Sequence, residues 1–323
     1  MKIILKAAIA FCILSFPALS PVLAADDFPN HPITLIIPFS PGGTSDVIAR
    51  VTAEQMSQTL GQRIVTENAS GAGGAIALAK AARSAPDGYT IAIGNSGTNA
   101  ASYSITPDLQ YKADDFVPIG LIAKTLPVIA IKKDFPAATL KEFVDYAKQN
   151  PGRVKMGHAG VGSSNFLICK ALSAAAGIEL NLVSYRGAAP ALSDLMGGQI
   201  DGVCDSAASV SGPIQAGRVK GIVISSPSRL RTLPDVPTSA EAGLPQFQQQ
   251  GWNGLFAPKG TPETAIAKLN AALRTAVASE ALQKRMDELG SIPASGEELS
   301  PQYVSSLVPS EIEKFRKLLG DPK

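Results

Sequence analysis

Short apolar runs along the chain alternate with glycine-rich turns and with stretches of helical periodicity. Residues 33–37 form one apolar run, a turn rich in Gly, Pro and Ser follows at 38–43, and apolar residues then recur at helical spacing over 47–56. The same order returns at 153–176. Such alternation of strands with helices predicts an α/β fold with a largely parallel sheet.

Two longer apolar segments, 117–131 and 248–257, depart from this alternation. Both have the composition of extended chain, and we interpret them as two connections between separate α/β units. This interpretation divides the chain into a first lobe formed by residues 25–125 and 248–323 and a second lobe formed by residues 126–247.

The first 24 residues have the features of a secretory signal peptide. Lys2 and Lys6 give a basic start, residues 7–14 are apolar, and small residues precede a cleavage point after Ala24. The apolar run is shorter than the roughly 20 residues that a membrane-spanning helix needs. We therefore expect an exported protein rather than a membrane anchor.

The charge balance argues against a nucleic-acid partner. The chain contains 29 Lys and Arg residues against 27 Asp and Glu residues. Loss of Lys2 and Lys6 with the signal peptide would leave 27 of each and no net charge. Because neutralisation of phosphates supplies most of the affinity for nucleic acids, we expect a small-molecule ligand instead.

Two cysteines remain after the signal segment. Cys169 falls in a predicted helix and Cys204 in a predicted strand, both among apolar residues. We expect buried free thiols, with a disulfide as the alternative in an oxidising compartment. The cysteine spacing matches neither a zinc site nor a redox motif, and the sequence has no histidine pair, so we expect no metal and no cofactor.

Glycine and small hydroxyl residues concentrate at four strand-to-helix turns, 40–46, 68–75, 160–165 and 186–190. The first turn of a helix carries free N–H groups and a partial positive charge, and glycine lets an anion approach the backbone. Turns from two lobes that face each other would therefore form a cradle for a carboxylate without any lysine.

Nucleotide binding and hydrolysis are the competing interpretations. The glycines at 71–74 lack the spacing of a dinucleotide-binding motif, and the chain contains no P-loop sequence. For hydrolysis, His158 is near Ser163 and Ser164 in the sequence, but no acidic residue can be named as the third member of a triad. A secreted Ser/His hydrolase of carboxylate esters is the alternative function.

Several motifs resemble those of one protein family. Residues 38–50, PFSPGGTSDVIAR, closely resemble the first-loop motif of the Bug family, the extracytoplasmic solute receptors of tripartite tricarboxylate transporters. Further segments similar to family motifs are 68–74, 86–90, 160–164, 185–191 and 235–243. They occur in the family's order over nearly all of the mature chain.

The resemblance implies a two-lobed periplasmic binding protein fold of type II, with two connecting strands and a ligand cleft between the lobes. It implies a receptor of the Venus flytrap kind, and not an enzyme, that captures a small organic carboxylate by hinge closure. Such a receptor would deliver its ligand to the permease of a tripartite tricarboxylate transporter or present it to a sensor kinase. We expect a monomer that contacts these partners transiently.

The resemblance also implies which residues face the cleft. They belong to the first-lobe turn, the turn after the third strand, the second-lobe turn and the end of a second-lobe strand. The implied ligand-binding residues are Phe39, Gly42, Gly43, Thr44, Ser45, Asp46, Ser96, Thr98, His158, Ser163, Ser164, Asn165 and Asp205.

We assign the backbone N–H groups of residues 42–45 to one ligand carboxylate, with the Thr44 and Ser45 hydroxyls as further donors. Ser163, Ser164 and Asn165 are assigned to the other end of the ligand. In both turns the alternative is that the hydroxyls only cap their helices.

Five residues have interpretations of their own. Asp46 is more a scaffold acceptor at the helix start than a ligand contact, and Phe39 packs either on the ligand or on the lobe core. Arg186 either pairs with a second carboxylate or, as we favour, is solvated. His158 departs from the family pattern and would narrow or polarise the pocket, whereas Asn165 would help to set ligand choice.

Overall fold

The computed structural model describes residues 28–319, so the predicted signal peptide lies outside the described residues. Within this range no helix is both long and apolar enough to cross a membrane. The strands are β1 (Ile33–Ile37), β2 (Ile64–Asn68), β3 (Thr90–Asn95), β4 (Phe116–Thr125), β5 (Pro127–Lys132), β6 (Lys155–His158), β7 (Asn181–Ser184), β8 (Gly202–Ser206), β9 (Val219–Ile224), β10 (Gly251–Pro258) and β11 (Ser291–Pro293). The helices are α1 (Thr44–Leu60), α2 (Ala75–Ala82), α3 (Ser102–Ile105), α4 (Leu140–Gln149), α5 (Ser164–Ala176), α6 (Ala188–Met196), α7 (Ala207–Gln215), α8 (Glu263–Ala278), α9 (Glu280–Glu288) and α10 (Pro301–Leu319).

Two sheets define two lobes. The first lobe contains a sheet of order β11-β4-β10-β3-β1-β2, in which β1 is parallel to β2 and β3 while β10 is antiparallel to β3 and β4. The second lobe contains a sheet of order β7-β6-β8-β5-β9, in which β6 is parallel to β7 and β8 while β5 is antiparallel to both neighbours. The predicted α/β class and two-lobed fold are confirmed, and the parallel pairing holds for the strand–helix–strand units but not for β5 and β10.

The predicted connections lie where the chain passes between the sheets. The segment 117–131 is not one strand, because Leu126 separates β4 of the first sheet from β5 of the second. The segment 248–257 leads into β10, which joins the first sheet. The residue boundaries assigned to the lobes from the sequence stay a prediction.

Alternating burial along the strands builds the cores. In β5, Ile129 and Ile131 belong to one apolar cluster with Phe143, while Val128 and Ala130 belong to a second cluster. Because successive strand residues face opposite sides of a sheet, the second lobe is covered by helices on both faces. The first lobe has one large cluster that its sheet shares with the α1, α2 and α8 helices.

The long amphipathic region at 263–289, for which the sequence predicts one or two helices, forms α8 and α9. The two helices meet at Ser279, whose extended backbone ends the first one. The Ser279 hydroxyl accepts a hydrogen bond from the N–H of Leu282 and thereby caps the second helix.

Cys169 of α5 and Cys204 of β8 form a disulfide, with their Cα atoms 5.4 Å apart. The expectation of free thiols is therefore wrong. The sequence places both residues in apolar surroundings but does not reveal that the helix crosses the strand at this point. The bond closes a loop between residues 35 positions apart and fixes α5 to the sheet of the second lobe.

Candidate functional site

A cavity lies between the two lobes, at the ends of the strands from which the glycine-rich turns emerge. The volume open to the centre of a water molecule is about 30 Å³, so the lobes are closed over it. The first lobe lines it with Phe39, Gly43, Thr44, Ser45, Asn95 and Ser96. The second lobe contributes Ala159, Ser164, Asn165, Ile168, Ala188, Asp205 and Ser206. The connecting segments add Thr125, Gln249, Gly251 and Asn253.

The N-terminus of α1 lines this cavity with Gly43, Thr44 and Ser45. Gly43 is the N-cap residue and no side chain caps the helix. The amides of Gly43, Thr44 and Ser45 have no hydrogen-bond acceptor among the described residues. Uncapped first-turn amides of this kind carry partial positive charge and attract an anion.

The carboxylate of Asp46 holds this turn in place rather than facing the cavity. It accepts hydrogen bonds from the Gly42 amide at 2.9 Å, from Arg50 Nε at 3.0 Å and from Asn68 Nδ2 at 2.8 Å. Burial by itself would raise the pKa of Asp46, but the donors from Arg50, Gly42 and Asn68 lower it below its ordinary value. The assignment of the Gly42 amide to the ligand is wrong for this geometry, because Asp46 already occupies that amide.

The Thr44 and Ser45 hydroxyls do not cap α1. Thr44 Oγ1 crosses to the second lobe, where it lies 2.6 Å from Ser206 Oγ and 2.8 Å from Ser209 Oγ. Ser45 Oγ donates to Asn253 Oδ1 at 2.9 Å. The first hydroxyl therefore bonds the two lobes, and the second ties the helix start to a connecting strand.

The turn after β3 brings one predicted residue to the cavity and keeps another behind it. Ser96 lines the cavity, and its Oγ lies 3.1 Å from Ser164 Oγ of the other lobe. Thr98 is fully buried below the turn, where its Oγ1 accepts from the Asn95 amide at 3.0 Å and donates to Asn99 at 2.8 Å. Thr98 thus shapes the turn and does not reach the cavity.

Only some residues of the second-lobe turn line the cavity. Ser163 caps α5, accepting from the Phe166 amide at 3.2 Å and donating to Gly160 O at 2.6 Å, and lies away from the cavity. Ser164 and Asn165 form the first turn of α5 and line the cavity. The capping alternative is therefore right for Ser163 alone.

His158 sits behind this turn. It is 2% exposed, its Nδ1 accepts from the Gly160 amide at 3.2 Å, and its ring packs on Phe166 at 5.2 Å between centroids. Burial lowers the pKa of His158, and the Gly160 amide that donates to its Nδ1 also favours the neutral ring. His158 does not line the cavity, and its contribution is to the packing of the turn.

Asp205, at the end of β8, is the only ionisable side chain that lines the cavity within residues 28–319. Its Oδ1 accepts from Asn165 Nδ2 and from the Ser206 amide, both at 2.8 Å, and Thr44 Oγ1 lies 3.5 Å away. Burial raises the pKa of Asp205 to about 6, even though these donors favour the charged form. Asp205 is 2% exposed, and no Lys or Arg side chain of residues 28–319 lines the cavity.

Glycines allow the lobes to approach closely around the site. A Cβ on Gly97 would lie 2.5 Å from Gly162 O and from Ser163 C, and one on Gly187 would lie 2.9 Å from the Ser40 amide nitrogen. A Cβ on Gly73 would overlap the carbonyl group of Val161. The predicted turn 68–75 therefore packs against the second-lobe turn instead of lining the cavity, which corrects its place in the proposed cradle.

Sequence reasoning missed the lining residues that lie far from the glycine-rich motifs. Gln249, Gly251 and Asn253 belong to the second connection, for which the sequence predicts only a link between the two units. Asn95, the last residue of β3, lines the cavity as well, and its Nδ2 donates a hydrogen bond to Ser45 Oγ at 3.3 Å. Arg186, by contrast, is exposed and does not line the cavity.

Comparison with known proteins decides the family. A family model described as the tripartite tricarboxylate transporter family receptor matches residues 48–320. The chain belongs to this receptor family. Protein BugT of Bordetella pertussis is 32% identical over 313 residues, which cover 96% of this chain and 95% of that protein. The resemblance to Bug receptors found in the sequence is confirmed.

Solved structures of receptors share the fold. The periplasmic binding protein BugD has a TM-score of 0.87 and 34% identity to this chain, over 92% of this receptor and all of that chain. MatC from Rhodopseudomonas palustris, solved with bound malate, has a TM-score of 0.87 and 37% identity, over 90% of this receptor and 99% of that chain. Family and fold are those of solute-binding receptors.

Proposed function

We propose that this receptor binds a small organic carboxylate in the cavity between its lobes. The observation that carries the proposal is the pair of helix starts, at Thr44 and Ser164, whose first turns line one cavity from opposite lobes. Free amides at helix N-termini stabilise a carboxylate without a formal positive charge. The malate bound to MatC supports the same ligand class.

Hinge closure is the proposed mechanism. Hydrogen bonds between Thr44 and Ser206 and between Ser96 and Ser164 join the two lobes in this closed form, and opening would break them. A ligand that contacts both lobes binds the closed form better and shifts the population towards it. The connecting strands β4–β5 and β10 provide the hinge.

In the cell, we propose a periplasmic monomer that is exported by its signal peptide and passes the ligand to the permease of a tripartite tricarboxylate transporter. A sensor kinase is the second proposed partner. The first lobe would comprise residues 25–125 and 248–323, and the second residues 126–247. Family membership supports the transporter, and the likeness to BugD supports the periplasm.

The hydrolase alternative is not favoured by the hydroxyl contacts. Ser163 donates to Gly160 O, Ser164 bonds to Ser96, and His158 bonds to the Gly160 amide, so neither serine is paired with the histidine. Turnover of a carboxylate ester that is lost in His158→Ala would instead support it.

A thermal-shift screen of residues 25–323 tests the proposal. The panel holds amino acids, aliphatic di- and tricarboxylates including malate, aromatic carboxylates, and neutral sugars as a control. A ligand at 100 times its Kd should stabilise the folded protein by about 2.7 kcal/mol. Hits confined to the neutral sugars would contradict the proposal.

Two substitutions at one position test the role of the amide. Thr44→Pro removes an N–H at the first position of a helix, where proline fits, whereas Thr44→Val removes the hydroxyl and keeps the N–H. We expect the proline variant to bind carboxylates more weakly than the valine variant. Glu280→Pro, at the first position of α9, is the matched control and should leave affinity unchanged. Equal affinities for the Pro and Val variants would contradict the assignment of the amide.

A further inference from the structure

Asp205 presents an electrostatic problem that the proposed function does not resolve. It places a carboxyl group on the wall of a cavity whose ligand is itself a carboxylate, and the lining residues include no cation. Two carboxylates that share a site shut off from water cannot both remain ionised at low cost.

The contacts of Asp205 make this burial depend on closure. Asn165 and Ser206 donate to its Oδ1 from the same lobe, while Thr44 approaches from the other lobe. Opening the lobes would withdraw Thr44 and admit water to the carboxyl group. Closing them removes that water and leaves neutral donors alone to support the charge.

Charged groups on the packed elements do not offset the charge of Asp205. Each is exposed, neutral or already bonded elsewhere. The exposed groups are Lys170 of α5, Glu54 of α1 and Lys155 of β6, and His158 of β6 is neutral. The groups bonded elsewhere are Lys132 of β5 (to Asp201), Asp194 of α6 (to Tyr185) and Asp46 of α1 (to Arg50). The residues of α7 are uncharged.

We propose that the site takes up one proton on Asp205 when it closes around a carboxylate. The inference rests on the proposed function and adds the charge state of the complex to it. Asp205 is then a proton site: its neutral carboxyl group can donate a hydrogen bond to the ligand carboxylate instead of repelling it. The raised pKa of Asp205 in the closed protein supports this arrangement, and a neighbouring anion would raise it further.

Proton uptake has a measurable consequence for affinity. Where the pH lies between the pKa of Asp205 in the open protein and its pKa in the complex, binding weakens as the pH rises. The limit is a tenfold increase in Kd for each pH unit. Weakening in this direction distinguishes proton uptake on binding from proton release.

Isothermal titration calorimetry tests the proposal with malate and adipate as probes. Titrations in two buffers of different protonation enthalpy, MES and Bis-Tris below pH 7 and HEPES and Tris above it, give the number of protons taken up per ligand between pH 6 and pH 8. We expect wild-type uptake approaching one proton and a Kd that rises with pH. Asp205→Asn should abolish the uptake and flatten the pH dependence, while Asp201→Asn, which lies just before the same strand and pairs with Lys132, should retain both.

The outcomes are distinguishable. Binding of either probe without proton uptake overturns this inference and leaves the proposed function intact. Uptake that persists in Asp205→Asn places the proton on the ligand and also overturns it. If no carboxylate of the thermal-shift panel binds, the proposed function and this inference fail together. Asn165→Leu is a second variant, for use if Asp205→Asn does not fold. It removes the amide that donates to the ionised carboxyl group of Asp205. Proton uptake by this variant must therefore exceed the wild-type value at the highest pH at which wild-type uptake is incomplete.

Discussion

Gly97→Ala separates closure of the lobes from stability of the fold. Gly97 lies in the turn after β3, and its backbone is not in the left-handed region, so alanine fits the first lobe without strain. Across the cleft, however, the added Cβ would lie 2.5 Å from Gly162 O and from Ser163 C, where ordinary contact begins at 3.4 Å. Both neighbours are backbone atoms, so the lobes must separate by about 1 Å.

A separation of that size breaks hydrogen bonds around the turn. Ser164 Oγ lies 3.1 Å from Ser96 Oγ and 3.3 Å from the Gly97 amide, and Ser102 Oγ lies 3.3 Å from Gly162 O. At about 1 kcal/mol each, loss of two or three such bonds costs the closed form about 2–3 kcal/mol. Ligand affinity should then fall roughly 30- to 150-fold.

The assay is calorimetric titration of a carboxylate hit, together with a melting curve of the unliganded variant. We expect an unchanged or slightly raised melting temperature and a large loss of affinity. Gly212→Ala is the matched control, because a Cβ there meets no atom within 4 Å. Wild-type affinity in a folded Gly97→Ala protein would refute the claim that the ligand is bound by this closed arrangement.

Three further substitutions test the scaffold. Cys169→Ala with Cys204→Ala should lower the free energy of unfolding by about 3–4 kcal/mol in chemical denaturation, because the disulfide closes a loop of 35 positions; an unchanged value would mean that the bond contributes nothing. Asp46→Asn should cost about 2 kcal/mol at pH 7, since hydrogen bonds lower the pKa of Asp46 in the folded protein. That difference should disappear as the pH falls below 3.8 through the lowered pKa, and a pH-independent difference would contradict the assigned cause. Ser45→Ala leaves the buried amides of Asn95 and Asn253 without this partner and should cost about 1–3 kcal/mol in thermal or urea unfolding, whereas a neutral effect would show that the two amides can pair with each other.

Local signals in the sequence predict much of this fold. Glycine and hydroxyl residues after an apolar run mark the starts of α1 and α5, because those residue types suit strand-to-helix turns. The apolar segment before α4 signals the connection between lobes, since its length exceeds that of a strand in a repeated unit. Each of these inferences uses residues close together in the chain.

Contacts between distant residues escape such reasoning. Thr44 is of a residue type that caps helices and stands at a helix start, yet its hydroxyl bonds to Ser206 and Ser209, more than 160 positions away. The disulfide of Cys169 with Cys204 depends in the same way on how α5 crosses β8.

Asp205 shows a related limit. The family resemblance places it at the cleft, but its chemistry depends on the absence of a cation from the lining and on the depth of its burial. Both are properties of the assembled lobes. A sequence can indicate that a carboxyl group faces a ligand, whereas only the packed structure indicates that it would need a proton there.

A crystal structure of the receptor with its strongest carboxylate ligand tests the account most directly. We predict a carboxylate group between the lobes, about 2.8 Å from backbone nitrogens in the first turn of α1, with the opposite end of the ligand at the first turn of α5. A ligand bound outside this cavity, or held there without any contact to either helix start, would contradict the account.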